Sequence, residues 1–260
     1  MQTGEIYYNN TIHNIEFPSP EEEVLPSVRW GAIDAFPSPA YWAYQVKAKQ
    51  LRGGFVHHRL GATFREEICA CLLGGYGIPA SIGLAAFEHL KREGLFENNT
   101  PNLKEIVEML SSPLKMQNRY VRYRFAKQKA RYIHAALMKL DHEEPIEHNG
   151  KNLRNWLLEI PGIGFKTASW IARNWLGADD VAILDIHIYR AGVIGGYLTP
   201  TKTMSKDYLC LEDQFITFSR ALGVRTSELD AVMWQEMMTS PITVHKMINN
   251  SDHLSDLFKK

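Results

Sequence analysis

The chain has 260 residues, 45% of them apolar and 22% charged, with a formal net charge of zero. That length can bury a sizeable core in one large domain or two small ones, and zero net charge means that any nucleic-acid footprint must be local. Its apolar runs fall far short of a membrane span, and Met1-Gln2-Thr3-Gly4-Glu5 lacks the basic-then-apolar pattern of a secretory signal, so a cytoplasmic protein is expected. Three cysteines, Cys69, Cys71 and Cys210, are too few and too scattered for a disulfide scaffold or a four-thiolate metal site. They read as small apolar residues.

Residues 1–60 carry prolines and an acidic run at Glu21 to Glu23, which predict irregular structure up to a helix over 40–51 that Gly53-Gly54 ends. From Phe64 onward the punctuation is helical. A helix over 64–73 has its apolar face at Ile68, Leu72 and Leu73, and Gly74-Gly75-Tyr76-Gly77-Ile78-Pro79 breaks it. Pro79 suits the first turn of the next helix, which runs to about Arg92. A short helix follows over 102–110, then a long one over 119–140 and a polar linker over 141–150. Further helices are expected over 207–222, closed by Gly223, and from a cap at Ser227 to about Met238, ended by Ser240-Pro241. Almost nothing after residue 64 alternates with period two. The expected class is therefore all-α, in two helical layers with a cleft. The expected division is an extension over 1–60 packing on a body over 61–240, with a polar helix or tail over 241–260.

Two stretches carry chemistry. In the first, Pro161-Gly162-Ile163-Gly164 joins two helices. Glycines at 162 and 164 let the backbone turn sharply and present N–H groups beside a helix N-terminus, which favours a phosphate. A plain helix connection would need no more than this. Lys166 then falls in the first turn of the second helix, where the positive end of the dipole disfavours the ammonium, as burial in an apolar pocket also would. A neutral lysine is a nucleophile, whereas a lysine on the surface is the commoner case. In the second stretch Asp185 sits in the apolar run Val181-Ala182-Ile183-Leu184-Asp185-Ile186, nineteen positions after Lys166. It reads as an N-cap, which would keep the carboxylate ionised and aimed at developing positive charge.

Ile160-Pro161-Gly162-Ile163-Gly164-Phe165-Lys166-Thr167-Ala168, followed by Leu184-Asp185-Ile186-His187, resembles the helix-hairpin-helix DNA glycosylase superfamily, with its Gly/Pro loop and catalytic Asp. The lysine, the interval to the aspartate and the Asp-x-His triplet resemble the bifunctional 8-oxoguanine DNA glycosylase/AP lyases. The resemblance implies a flipped nucleotide, attack by Lys166 at the sugar C1′, charge stabilisation by Asp185, then a Schiff base and β-elimination. It implies that Gly162, Gly164 and His187 contact the DNA backbone. It also implies no required cofactor and no iron–sulfur cluster, and leaves room for a monovalent cation at the hairpin carbonyls.

The basic stretch 115–131 reads as a helix and as the electrostatic footprint for DNA, with Arg122, Lys127 and Lys129 among the phosphate-facing residues. A solvated face is the other reading of such a run. Tyr76, among glycines, stands where related enzymes fill the gap left by the flipped base, or is a structural loop tyrosine. The segment 228–235 resembles the helix that lines the base pocket in smaller prokaryotic members. There Trp234 would stack on the base, or fill the core, and Gln235 or Asp230 would read its edge. The expected partner is double-stranded DNA containing a damaged base, met by a monomer. Two other readings stay open: the same fold acting on another damaged or modified base, and a non-catalytic hairpin module. Phosphate binding alone needs neither Lys166 nor Asp185, which argues against the latter.

Overall fold

A computed structural model of the protein describes residues 1–55, 59–75, 77–97, 100–117, 119–250 and 254. The chain divides into two compact units, Met1–Val56 with Asp179–Lys260, and His57–Ala178. Tyr76 lies outside the described residues.

The first unit opens on an antiparallel hairpin, β1 (Gln2–Tyr8) and β2 (Thr11–Phe17). Asn9 and Asn10 form its two-residue turn with φ of 49° and 60°, the left-handed pair that a primed hairpin turn requires. Gly4 and Ile6 face inward while Glu5 and Tyr7 are exposed, the period of a half-buried strand. A smaller hairpin follows, β3 (Glu23–Leu25) with β4 (Val28–Arg29). The irregular structure expected over this region is corrected here. The alternation and the Asn-Asn turn are both present in the sequence, although proline and acid content obscure them. Next comes α1 (Pro39–Leu51), whose cap Ser38 accepts the N–H of Tyr41 at 3.0 Å.

The second unit begins with α2 (Phe64–Leu73), capped by Thr63, and α3 (Ala80–Arg92), which starts directly after Pro79. In α4 (Leu103–Ser111), Asn102 and Glu105 form a reciprocal capping box. Then the path differs from expectation. In place of a basic helix from 115 there is a hairpin, β5 (Leu114–Met116) with β6 (Arg119–Val121), and α5 (Ala126–His142) starts only afterwards. Aromatic and β-branched residues in Arg119-Tyr120-Val121 favour the pleat. Tyr123 is buried, and its hydroxyl donates to the carbonyl of Leu73 at 2.6 Å, which pins the chain before α5. Burial pushes the Tyr123 phenol above its usual range. The unit closes with α6 (Gly150–Leu157) and α7 (Phe165–Leu176). Its core includes Leu72, Phe87, Ile133, Leu137, Leu157 and Ile171, all essentially inaccessible.

The chain then returns to the first unit with α8 (Ile186–Ile194), α9 (Tyr208–Ala221), α10 (Thr226–Thr239) and α11 (Pro241–Asn249). Trp42, Val46, Phe215, Phe218, Leu229 and Met233 form the centre of its core, with Tyr197 stacked on Phe218 at 3.7 Å between rings. Polar ties bind α1 to α10. The Tyr41 hydroxyl donates to Glu236 Oε2 at 2.9 Å, and Gln50 donates to Glu228 Oε2 at 2.6 Å. Ser227 is not the cap that the sequence suggested. The helix starts after Arg225, and the Ser227 N–H goes to Asp179 Oδ1 at 3.0 Å. Pro241 follows the end of α10 but also opens α11, since a helix's first turn needs no N–H there. With eleven helices against three two-stranded sheets among the described residues, the fold is all-α in character.

Candidate active site

The hairpin between α6 and α7 stands on one glycine in particular. Gly162 has φ +88°, and a Cβ there would come within 2.3 Å of the Tyr132 ring on α5. Both the turn and the close approach exclude a side chain. Gly164 is different. Its φ is −102°, and a Cβ would meet nothing within 4 Å. It is the N-cap of α7 and has no side chain to satisfy the first N–H groups of that helix. Those N–H groups, at the positive end of the helix, suit an anion. Lys166 is the second residue of α7 and is exposed. The apolar burial considered for it is therefore absent in the free chain.

Asp185 is built in another way. It is buried, and it is the N-cap of α8. Its Oδ1 accepts the N–H of His187 at 2.9 Å and that of Ile188 at 3.0 Å. Both bonds use Oδ1, which leaves Oδ2 outside the cap. The run before it, 181–184, is buried yet belongs to neither helix nor sheet. The N–H groups of residues 182–184 go instead to side chains. Ala182 donates to Glu212 Oε1 at 2.9 Å, Ile183 to Asp230 Oδ2 at 3.3 Å and Leu184 to the Tyr208 hydroxyl at 3.2 Å. The same hydroxyl donates to the Ala182 carbonyl at 2.8 Å.

His187 is half-buried and lines a cavity of about 640 Å³ with Arg190, Met237, Ile242, His245 and Lys246. Among the described residues, bases line this cavity and no acid does, which suits a phosphate better than a cation.

A family model for 8-oxoguanine DNA glycosylase with a helix-hairpin-helix matches residues 55–224, a span that contains the hairpin, Lys166 and Asp185. This chain belongs to the 8-oxoguanine DNA glycosylase family. A curated relative from Methanocaldococcus jannaschii, named 8-oxoguanine DNA glycosylase/AP lyase, is 33% identical over 181 residues, 65% of this chain and 77% of that protein. One of the same name from Metallosphaera sedula is 36% identical over 133 residues, 49% of this chain and 63% of its own length. The crystal structure of the M. jannaschii 8-oxoguanine DNA glycosylase aligns at TM-score 0.51 and 29% identity, covering 66% of this chain and 76% of that one.

Other expected site residues of this 8-oxoguanine glycosylase family member are distributed unevenly. Arg122 and Lys127 are exposed, as backbone contacts must be. Lys129 is half-buried, and its amine donates to the Gly74 carbonyl at 2.9 Å. Burial holds that amine below its usual pKa. That bond ties it to the loop after α2. Trp234 is 45% exposed, so the alternative of a core tryptophan is excluded. Gln235, on the α1 side of α10, takes a hydrogen bond from Lys49 at 3.2 Å. Asp230 is only 1% exposed and is engaged with the Ile183 N–H, so it is not free to read a base edge. Glu212 and Tyr208 were not singled out in the sequence. The signal for Glu212 is an acid on the helix face shared with Tyr208, Leu211, Phe215 and Ile216.

Cys69 is buried, and burial pushes its thiol up to about 12. A thiol in that state is neither nucleophile nor ligand. Among the described residues no cluster of three or more His, Cys, Asp or Glu could hold a metal ion, and no helix is long and apolar enough to cross a membrane.

Proposed function

We propose that this chain is a bifunctional DNA glycosylase/AP lyase that removes 8-oxoguanine from duplex DNA. The observation that carries this reading is the conjunction of an exposed lysine in the first turn of an uncapped helix and a buried, capped aspartate, within the span matched by the 8-oxoguanine glycosylase family. The relatives' names give glycosylase and lyase activity to those proteins, and Lys166 with Asp185 is suited to both steps.

The lesion nucleotide leaves the stack and enters the site. The neutral Lys166 amine attacks C1′. The glycosidic bond breaks, and the base leaves with the electron pair and takes up a proton. Asp185, held by two N–H bonds, stabilises the positive charge that grows on the sugar. The sugar ring opens and a protonated Schiff base forms at Lys166. Loss of a C2′ proton then expels the 3′ phosphate by β-elimination. Gly162 and Gly164 shape the N–H cradle for one backbone phosphate, and His187, on its basic cavity, takes another. Arg122 and Lys127 add sequence-independent affinity. The exposed indole of Trp234 is suited to stack on the extruded base. A monovalent cation at the hairpin carbonyls would serve the phosphate grip, and the protein works as a monomer in the cytoplasm.

Borohydride trapping on an 8-oxoguanine duplex tests this. Wild type should form a covalent adduct, and Lys166→Ala should form none. Absence of trapping on every lesion and on abasic duplex would leave a binding module instead. Trapping on other lesions alone would keep the mechanism and change the substrate.

A further inference from the structure

Three consecutive backbone amides lead into Asp185, and each is satisfied by a different buried side chain. Buried backbone without a helix or sheet partner must find one elsewhere. Here Glu212 and Tyr208 on α9 and Asp230 on α10 supply it. Glu212 and Asp230 are each 1% exposed, which is rare for carboxylates. Tyr208 is bound at both ends of the segment, as acceptor from Leu184 and donor to Ala182. Neighbouring polar ties serve other purposes. The Ser219 hydroxyl, for example, bonds to its own helix at Ile216 and to Thr226. The group around 182–184 reaches out from two helices to one irregular segment.

We propose that Tyr208, Glu212 and Asp230 are positioning residues for base removal: they hold the strand that fixes where the Asp185 carboxylate points. The inference rests on the reading of Asp185 as the charge-stabilising group. An N-cap alone sets the carboxylate relative to α8. It does not set the entry angle of the chain, which the three side chains determine through residues 182–184. A shift of about 1 Å in such a group can cost on the order of 10²-fold in rate. None of the three needs to touch DNA.

Tyr208→Phe is the sharpest variant, because it keeps the ring and removes both hydrogen bonds. Single-turnover base removal from 8-oxoguanine duplex should fall about tenfold or more. Affinity for an abasic-analogue duplex should be unchanged. Asp230→Leu should behave in the same way, and Asp230→Asn, which keeps an acceptor oxygen, should recover most of the rate. A double-mutant cycle separates positioning from general weakening. In an Asp185→Asn background, Tyr208→Phe should cost almost nothing further. Additive losses would overturn the positioning role, as would a Tyr208→Phe enzyme of wild-type rate. If Tyr208→Phe fails to fold, Asp230→Asn against Asp230→Leu carries the same cycle. A wild-type protein inactive on 8-oxoguanine but active on another lesion overturns the substrate reading alone, and the cycle is then run on that lesion. Wild type without glycosylase activity on any lesion overturns both.

Discussion

The hairpin and the Asp185 strand offer two solutions to the same problem of holding a group still. At the hairpin the backbone is the surface proposed to meet DNA, and glycines keep side chains away from it. Gly162 is forced both by φ +88° and by the Tyr132 ring. At the Asp185 strand the backbone is withdrawn altogether, with its N–H groups bonded to buried side chains of α9 and α10. The first solution is local and leaves an exposed lysine. The second is tertiary and fixes a carboxylate. In the proposed reaction the exposed lysine is the nucleophile, whereas the electrostatic stabiliser acts best where it is preorganised.

The contrast can be pushed hardest at Asp185. Asp185→Asn keeps an oxygen that can cap α8, so stability should change by only a few tenths of a kcal/mol. Base removal should nevertheless fall by about 10²-fold or more, with duplex affinity retained. Single-turnover kinetics beside thermal melting would show it. A loss of folding in step with activity would make Asp185 chiefly a cap.

The two hairpin glycines come next. Gly162→Ala meets strain and a ring clash together, and should destabilise by about 1–3 kcal/mol. Gly164→Ala has open space and an ordinary φ, and should leave the melting temperature nearly unchanged. Its methyl group would still stand beside the phosphate cradle. DNA affinity, read by fluorescence anisotropy, should therefore drop in both variants, whereas denaturation should separate them.

A smaller effect is expected on α10. Trp234→Ala removes an exposed indole, so stability should stay within about 0.5 kcal/mol. Discrimination between 8-oxoguanine and guanine in excision assays should fall. Unchanged discrimination would remove Trp234 from the pocket.

The smallest effect concerns Asp179, at the boundary of the first unit. Burial raises its carboxyl pKa, but hydrogen bonds from Ser227 and Arg225 outweigh that and hold it below the usual range. Its folded pKa is thus depressed, so its contribution is complete above the unfolded value of about 3.9 and is lost as pH falls through the folded value. Because the pair is partly exposed, Asp179→Asn should cost under about 1 kcal/mol at neutral pH. The gap to wild type in urea melts should close as pH drops below about 4.

What the sequence determined was whatever depends on neighbours along the chain. The turn at Gly162, the cap at Asp185 and the helical periods of α2, α4 and α9 follow from a few adjacent residues, and all could be read directly. The Asn-Asn hairpin at the N-terminus was equally local and was obscured by composition. Tertiary structure decided the rest. Tyr123 reaches the Leu73 carbonyl across fifty positions, so 119–121 is a strand and not the start of a helix. Lys129 turns inward to Gly74, and Asp230 is directed to Ile183 rather than to a base. No periodicity reveals such assignments, because a buried backbone amide takes whichever acceptor the packing of distant helices brings to it.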